Sequence, residues 1–182
     1  MSPPTAHLKY SNTAYSMLGL VIQAVSGMPY EAFVLQRIPR SLNMEDTMFH
    51  PGPEHAGRLA DGHIVPPYER RFERTPQQDL RAYTPCGMLV STPTDVLEIA
   101  RIQWTENDLA PEATRREMHR VHLMDPDLPG WQSGYGLGWR LTRAGDRVIA
   151  GHSDSIPGSG TRDGQGAPGV LHHDPAHVCL GQ

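Results

Sequence analysis

The sequence predicts an α+β chain, mostly helical at first and closing on a β-hairpin from an antiparallel sheet. Two observations carry that prediction. Residues 13–26, 30–41 and 93–104 repeat apolar side chains at helical spacing. Residues 134–141 and 147–152 then read as two extended segments joined by a turn.

The first helix, 13–26, places Met17, Leu18, Val21, Ile22 and Val25 on one face, and Gly27 is positioned to stop it. A second helix runs from Tyr30 to Ser41 with Phe33, Val34, Arg37 and Ile38 on successive turns, and Pro39 must end or kink it. Leu42–Thr47 follows as a polar-flanked turn with one or two buried anchors. Residues 48–83 have weak periodicity and hold Pro51, Pro53, Pro66, Pro67 and Pro76, so they read as an extended excursion with one short strand at His63–Val65. Within it, Glu69–Arg74 balances arginines against acids and reads as a solvated segment.

Order resumes at Pro85. Thr92 is a good N-cap, Pro93 fits the first helical position, and Asp95 sits where a carboxylate reaches back to the cap. The helix Pro93–Trp104 aligns Val96, Ile99, Ala100 and Gln103 on one side. Pro111 opens a charged, solvated helix over Glu112–His122. Gly134–Leu141 reads as one strand with glycine at alternate places, Arg147–His152 as a second, with the turn within 142–146. Past Ser155 no alternation is sustained, and residues 159–182 are expected to be irregular or disordered. Trp104, Trp131 and Trp139 are most simply core or interface anchors.

The bulk properties narrow the function classes. Net charge is −4 and the pI is about 6.2, with arginines scattered among acids, so a nucleic-acid partner is not expected. No apolar run reaches the ~18 residues of a membrane span. Met1–Thr5 has neither the basic start nor the apolar core of a signal peptide, so the chain as it stands reads as cytoplasmic, unless its true N-terminus has been lost. Eighteen glycines and seventeen prolines in 182 residues exceed average usage of roughly 12% and signal many turns. Cys86 and Cys179 give no disulfide framework and are expected to be free. His172, His173, His177 and Cys179 suggest a metal cluster, but Pro175 argues against one helix presenting them, and no metal or cofactor is expected. No glycine-rich phosphate loop of the G-x-x-x-x-G-K type is present.

Two short motifs carry chemistry. Tyr10-Ser11-Asn12 heads the first helix, and Gly151-His152-Ser153-Asp154 ends the second strand of the hairpin. A phenol beside a cation has its pKa of ~10 lowered and can act as a base. Histidine supplies that cation only when protonated. Asn12 reads equally well as a helix cap. With Pro3-Pro4, Tyr15, Leu18-Gly19, Val25-Ser26-Gly27, Pro29-Tyr30, Leu42–Thr47, Cys86–Asp95 and Tyr135–Trp139, these motifs resemble, in order and spacing, the serine β-lactamase-like hydrolases. That family includes class C β-lactamases, DD-peptidase penicillin-binding proteins and related esterases. The match covers roughly residues 3–158.

The resemblance implies a β-lactamase/transpeptidase-like fold, present here in part: a domain over 1–158, with a helical part at about 13–130 and the hairpin at about 134–155. It implies an amide or ester substrate attacked by a serine in a Ser-x-x-Lys motif. None of the serines of this sequence has a lysine three places on, and Lys9 is the only lysine. The implied roles are proton transfer for Tyr10, and binding of the substrate's acyl side chain for Asn12. His152 would hold the substrate carboxylate and tune the tyrosine, with Ser153, Asp154 and Ser155 beside it. The family pattern has glycine where Asp154 stands, and a carboxylate there opposes a developing oxyanion. Unpaired strand edges would offer a route to association. The resemblance leaves the parent's compartment open, periplasmic or secreted included. The alternative is a non-catalytic, truncated or degenerate family member that serves at most as a binding protein.

Overall fold

Helix α1 spans Asn12–Ser26, within one residue of the predicted start, and ends on Gly27 in the left-handed conformation (φ 68°). Glycine adopts that conformation without a Cβ penalty. The cap at its other end is Ser11, whose hydroxyl accepts the N–H of Ala14 at 3.1 Å. Asn12 is therefore the first helical residue and not the cap. The computed structural model describes residues 8–68, 70–76, 79–124, 132–156 and 159–166. These fall into two units, a helical one made of Ser11–Ile99 with Ser155–Gly160, and a sheet unit made of Tyr10, Ala100–Asp154 and the strand from Thr161 onward.

In the helical unit, α1 turns its narrow side inward. Gly19 is its one buried residue, and a side chain there would overlap the Pro85 ring. The predicted core stripe is reversed: Met17, Leu18, Val21 and Val25 are exposed, and of that set only Ile22 is partly buried. Helix α2 covers Tyr30–Arg37, after which Pro39 heads a short 3-10 turn, Arg40–Leu42. Proline thus ends the α-helix as expected, because it lacks the N–H needed to continue it. Strand β1, Gly62–Ile64, pairs antiparallel with β2, Glu73–Thr75. β2 lies in the segment read as merely solvated. An isolated charged ribbon has no apolar alternation to announce it.

A polar knot joins the two motif-bearing stretches of this unit. After the short helix α3, Thr84–Gly87, helix α4 spans Pro93–Ile102. Thr92 caps it, accepting the Asp95 N–H at 3.3 Å. The Asp95 carboxylate does not reach back to the cap. Its Oδ2 accepts the Asp46 N–H at 3.0 Å and the Thr47 hydroxyl at 2.8 Å, and Thr47 meets Ser91 at 2.7 Å. Met48 and Val90 exchange backbone hydrogen bonds alongside, and Met44 is the buried anchor of the turn. A buried carboxylate is tolerable because its lone pairs are occupied.

The sheet unit holds α5, Glu112–Met118, and the strands β3 (Leu123–Met124), β4 (Ser133–Tyr135), β5 (Arg140–Ala144), β6 (Arg147–Ile156) and β7 (Ser159–Gly166). They form one sheet in chain order, β3-β4-β5-β6-β7, antiparallel from β3 to β6. The predicted single strand 134–141 is in fact two strands joined by the turn Gly136–Trp139. Alternating glycines imitate a strand period while supplying a turn. The β5–β6 hairpin closes on Gly145-Asp146, with Gly145 at φ 67°, the positive φ that a II′-type two-residue loop demands at its first position. Residues 159–166, expected to be irregular, form β7. Residues 167–182, including the histidine-rich stretch and Cys179, lie outside the described residues, as does Trp131. Cys86 is a free thiol.

The core of this unit is Trp139, Leu141 and Ala150, flanked by Met118, Val121 and Val148. Leu141 and Ala150 are cross-strand partners. His119 lies between Trp104 and Trp139, at ring-centroid distances of 5.4 and 5.3 Å, and its Nε2 is buried without a hydrogen-bond partner. Burial, with the nearby Arg115 charge, lowers the pKa of this imidazole. The folded unit therefore binds the proton less readily than the unfolded chain. Stability from this group is complete above an unfolded pKa of ~6.5 and is lost as pH falls through the lower folded value. The thermal midpoint, followed by tryptophan fluorescence between pH 7 and 5, should fall more steeply in the parent chain than in His119→Phe. Parallel curves would remove His119 from the account.

Candidate active site

The two motifs place one residue pair together. Tyr10 precedes α1 and is well exposed. His152 lies six residues into β6 and is partly buried. Their rings stack at 6.4 Å between centroids with 30° between planes. Both belong to the sheet unit.

Strand geometry decides what else faces the pair. Side chains alternate along β6, so Val148, Ala150, His152 and Asp154 share one face. The first two enter the core. The last two continue the same face past its edge, and Asp154 is exposed there. Ser153 points to the other face, and Ser155 follows it there. The negative charge that departs from the family pattern thus lies on the His152 side of the strand. Asn12 opens α1 in the helical unit, exposed, next to the Ser11 cap.

His119 was not legible as a special residue. It lies at the end of a helix whose arginines and glutamates announce solvent. Only the tryptophans on both sides of it in space, fifteen and twenty residues away in sequence, bury it. Among the described residues no three His, Cys, Asp or Glu side chains gather as metal ligands, and no single helix is long and apolar enough to cross a membrane.

A family model described as Beta-lactamase matches residues 1–174. Among curated proteins, the chain is similar to the D-alanyl-D-alanine-carboxypeptidase/endopeptidase AmpH of Escherichia coli, at 26% identity over 75% of this chain and 35% of that protein. It is also similar to penicillin-binding protein 4 of Amycolatopsis lactamdurans, at 26% identity over 76% of this chain and 39% of the other. Among solved structures, the D-amino acid amidase of Ochrobactrum anthropi superposes with a TM-score of 0.74 at 25% identity, over 91% of this chain and 48% of the amidase. The octameric penicillin-binding protein homologue of Pyrococcus abyssi shares the fold, with a TM-score of 0.78 at 24% identity, over 91% of this chain and 37% of its own. The α+β architecture is thus that of β-lactamase/transpeptidase-like folds. The chain spans somewhat over a third of the length of these two curated relatives.

Proposed function

Since this chain belongs to the β-lactamase family, we propose that it forms part of a serine hydrolase acting on amide or ester acyl groups through an acyl-serine intermediate. The observation that carries this reading is the stacking of Tyr10 on His152, which unites two motifs some 140 residues apart. The amide-cleaving relatives support it: a carboxypeptidase/endopeptidase and a D-amino acid amidase.

In this reading Tyr10 takes the proton from the attacking serine and returns it to the leaving group, and water then repeats the cycle on the acyl-enzyme. His152, when protonated, holds the phenol toward its anionic form and attracts a substrate carboxylate. The Asn12 amide offers both a donor and an acceptor to the substrate's acyl side chain. Ser153, Asp154 and Ser155 border the place where the oxyanion forms. The nucleophile comes from outside these 182 residues, because they contain no Ser-x-x-Lys. The chain by itself is then inert, since groups acting as a unit lose nearly everything when one is missing. One observation favours the alternative of a non-catalytic binding protein: a carboxylate at Asp154 on the His152 face of β6 disfavours negative charge beside it.

A single labelling experiment tests both readings. The chain is treated with a fluorescent penicillin and a fluorophosphonate, alone and together with a family segment carrying Ser-x-x-Lys, and the products are weighed. No adduct is expected on the chain alone, and a stoichiometric adduct on the segment's serine is expected in the mixture. Asp154→Gly should raise that acylation rate by about the 10²–10³-fold that one oxyanion-hole donor is worth. An adduct on any serine of the chain itself would overturn the assignment of an external nucleophile. Equal rates with and without the substitution would remove Asp154 from the site.

A further inference from the structure

In the sheet unit, the chain leaving α5 is clasped to the turn between β4 and β5 by two backbone hydrogen bonds. The Leu137 N–H donates to the Met118 oxygen at 2.9 Å, and the His122 N–H donates to the Tyr135 oxygen at 2.8 Å. His119 stands between these two bonds in sequence. Its own N–H closes α5 on the Arg115 oxygen at 3.0 Å. Its ring fills the slot between Trp104, just past α4, and Trp139, at the end of the turn. Helix α5 has seven residues, none of them buried, so little besides this ring and the two backbone bonds holds its end in place. The turn leads straight into Arg140, the cross-strand partner of Gly151, and His152 is the next residue. The clasp therefore adjoins the strand pair that carries the candidate site.

The slot suits a neutral ring. A neutral imidazole carries its proton on either nitrogen, but the cation carries one on both. Among the described residues Nε2 is buried without a hydrogen-bond partner, so protonation makes it a buried donor with no acceptor. The charged groups on the surrounding elements give no relief. Arg101 on α4, Arg115 on α5 and Arg140 on β5 add positive charge. Glu117 is engaged by Arg120 through hydrogen bonds of 3.1 and 2.6 Å, with the His122 ring 3.4 Å from the same carboxylate.

We propose that His119 is a proton-released peg: uncharged, it holds residues 118–122 against the β4–β5 turn, and on protonation it leaves the Trp104–Trp139 slot and lets the two backbone bonds open while the rest of the sheet stays paired. The lowered pKa of this imidazole has the direction that such a device needs, because the closed clasp takes up the proton less readily than the open one. Local opening, at a smaller free energy than unfolding, distinguishes the peg from a general loss of stability in acid. The catalytic reading is not involved.

The test is a pH titration of the isotope-labelled 182-residue chain by NMR between pH 7.5 and 4.5, with amide exchange expressed as protection factors so that the chemical pH dependence of exchange is removed. The His119 ring should titrate below the ordinary ~6.5. Protection of the Leu137 and His122 amides should fall by about threefold or more, beginning near ~6.5 and levelling off below the pH at which the His119 ring titrates. The Arg143 amide, bonded to the Gln132 oxygen at the other end of the β4–β5 pair, and the Met48 and Val90 amides of the helical unit should keep their protection. His119→Phe fills the slot with a ring that takes no proton, and should hold the two clasp amides constant over the range. His122→Gln, which removes the neighbouring titratable ring, should leave the loss in place. Should His119→Phe fail to fold, the relation between the two curves in the parent and in His122→Gln still decides. Protection independent of pH, a loss shared equally by Arg143, a loss that persists in His119→Phe, or one abolished in His122→Gln would overturn the proposal. So would a His119 titration above ~6.5, which would mean that the two indoles hold the imidazolium in the slot.

Discussion

Tyr10→Phe is expected to lower kcat/KM by 10²–10⁴-fold in protein completed with the Ser-x-x-Lys segment, the range over which a positioned acid–base group contributes. The substitution removes one oxygen and keeps the ring that stacks on His152, so the packing survives while the proton carrier is lost. Because proton transfer is made only in the transition state, kcat and kcat/KM should fall together. Asn12→Ala supplies the contrast. It leaves the Ser11 cap in place and should act mainly on KM if the amide binds the acyl side chain in ground and transition state alike. A chromogenic ester and a chromogenic lactam, followed to steady state, separate the two patterns. Full activity in Tyr10→Phe would transfer the proton carrier's role to another residue.

Gly136→Ala is expected to destabilise the sheet unit by ~3 kcal/mol or more, at or above the upper end of ordinary overpacking costs. Gly136 opens the turn between β4 and β5, and a Cβ added there would overlap the backbone carbonyl oxygen of Met118 at the end of α5. That oxygen is fixed, since it accepts the Leu137 N–H at 2.9 Å, while the Gly136 N–H reaches the Trp139 oxygen at 2.8 Å. A flexible side chain would move aside, but a backbone carbonyl holding a hydrogen bond does so only by opening the turn. Gly57→Ala is the control, because a Cβ there meets nothing within 4 Å. Urea unfolding followed by tryptophan fluorescence compares them, and equal midpoints for the two variants would show that α5 and the turn separate at little cost.

Much of this fold was legible, and the exceptions share a physical cause. Helix limits were readable wherever a residue changes backbone chemistry, as at Gly27, Pro39 and Pro93, because those signals are local. The facing of α1 was not. The stripe Met17, Leu18, Val21, Val25 predicts the inward side, yet Gly19 lies inward, where a side chain would overlap the Pro85 ring. Periodicity reports that a face is apolar and says nothing of what covers it. The Asp95 carboxylate looked like part of a local cap and instead ties down Asp46 and Thr47, forty-eight or more residues earlier in sequence, a tertiary contact invisible to local pattern. β2 and β7 carry charge or glycine where strands usually carry apolar residues, so their pairing is decided by neighbouring strands. As for the site, Tyr10 and His152 were singled out by resemblance, and the structure brings their rings together. Beyond them, the sequence offers Asn12 and contains no Ser-x-x-Lys.

The strands β3 to β7 lie in the sheet in the same order as in the chain, and that order has a consequence for how the protein is made. Each strand's partner is the one synthesised immediately before it, and the loop between β5 and β6 is only two residues long. The entropy lost in closing such a loop is small, and pairings of this kind form in microseconds, far faster than a ribosome adds residues. The Leu141–Ala150 contact can therefore form as soon as the second hairpin strand leaves the exit tunnel. The sheet then grows by one edge at a time, so its newest strand always offers the template for the next.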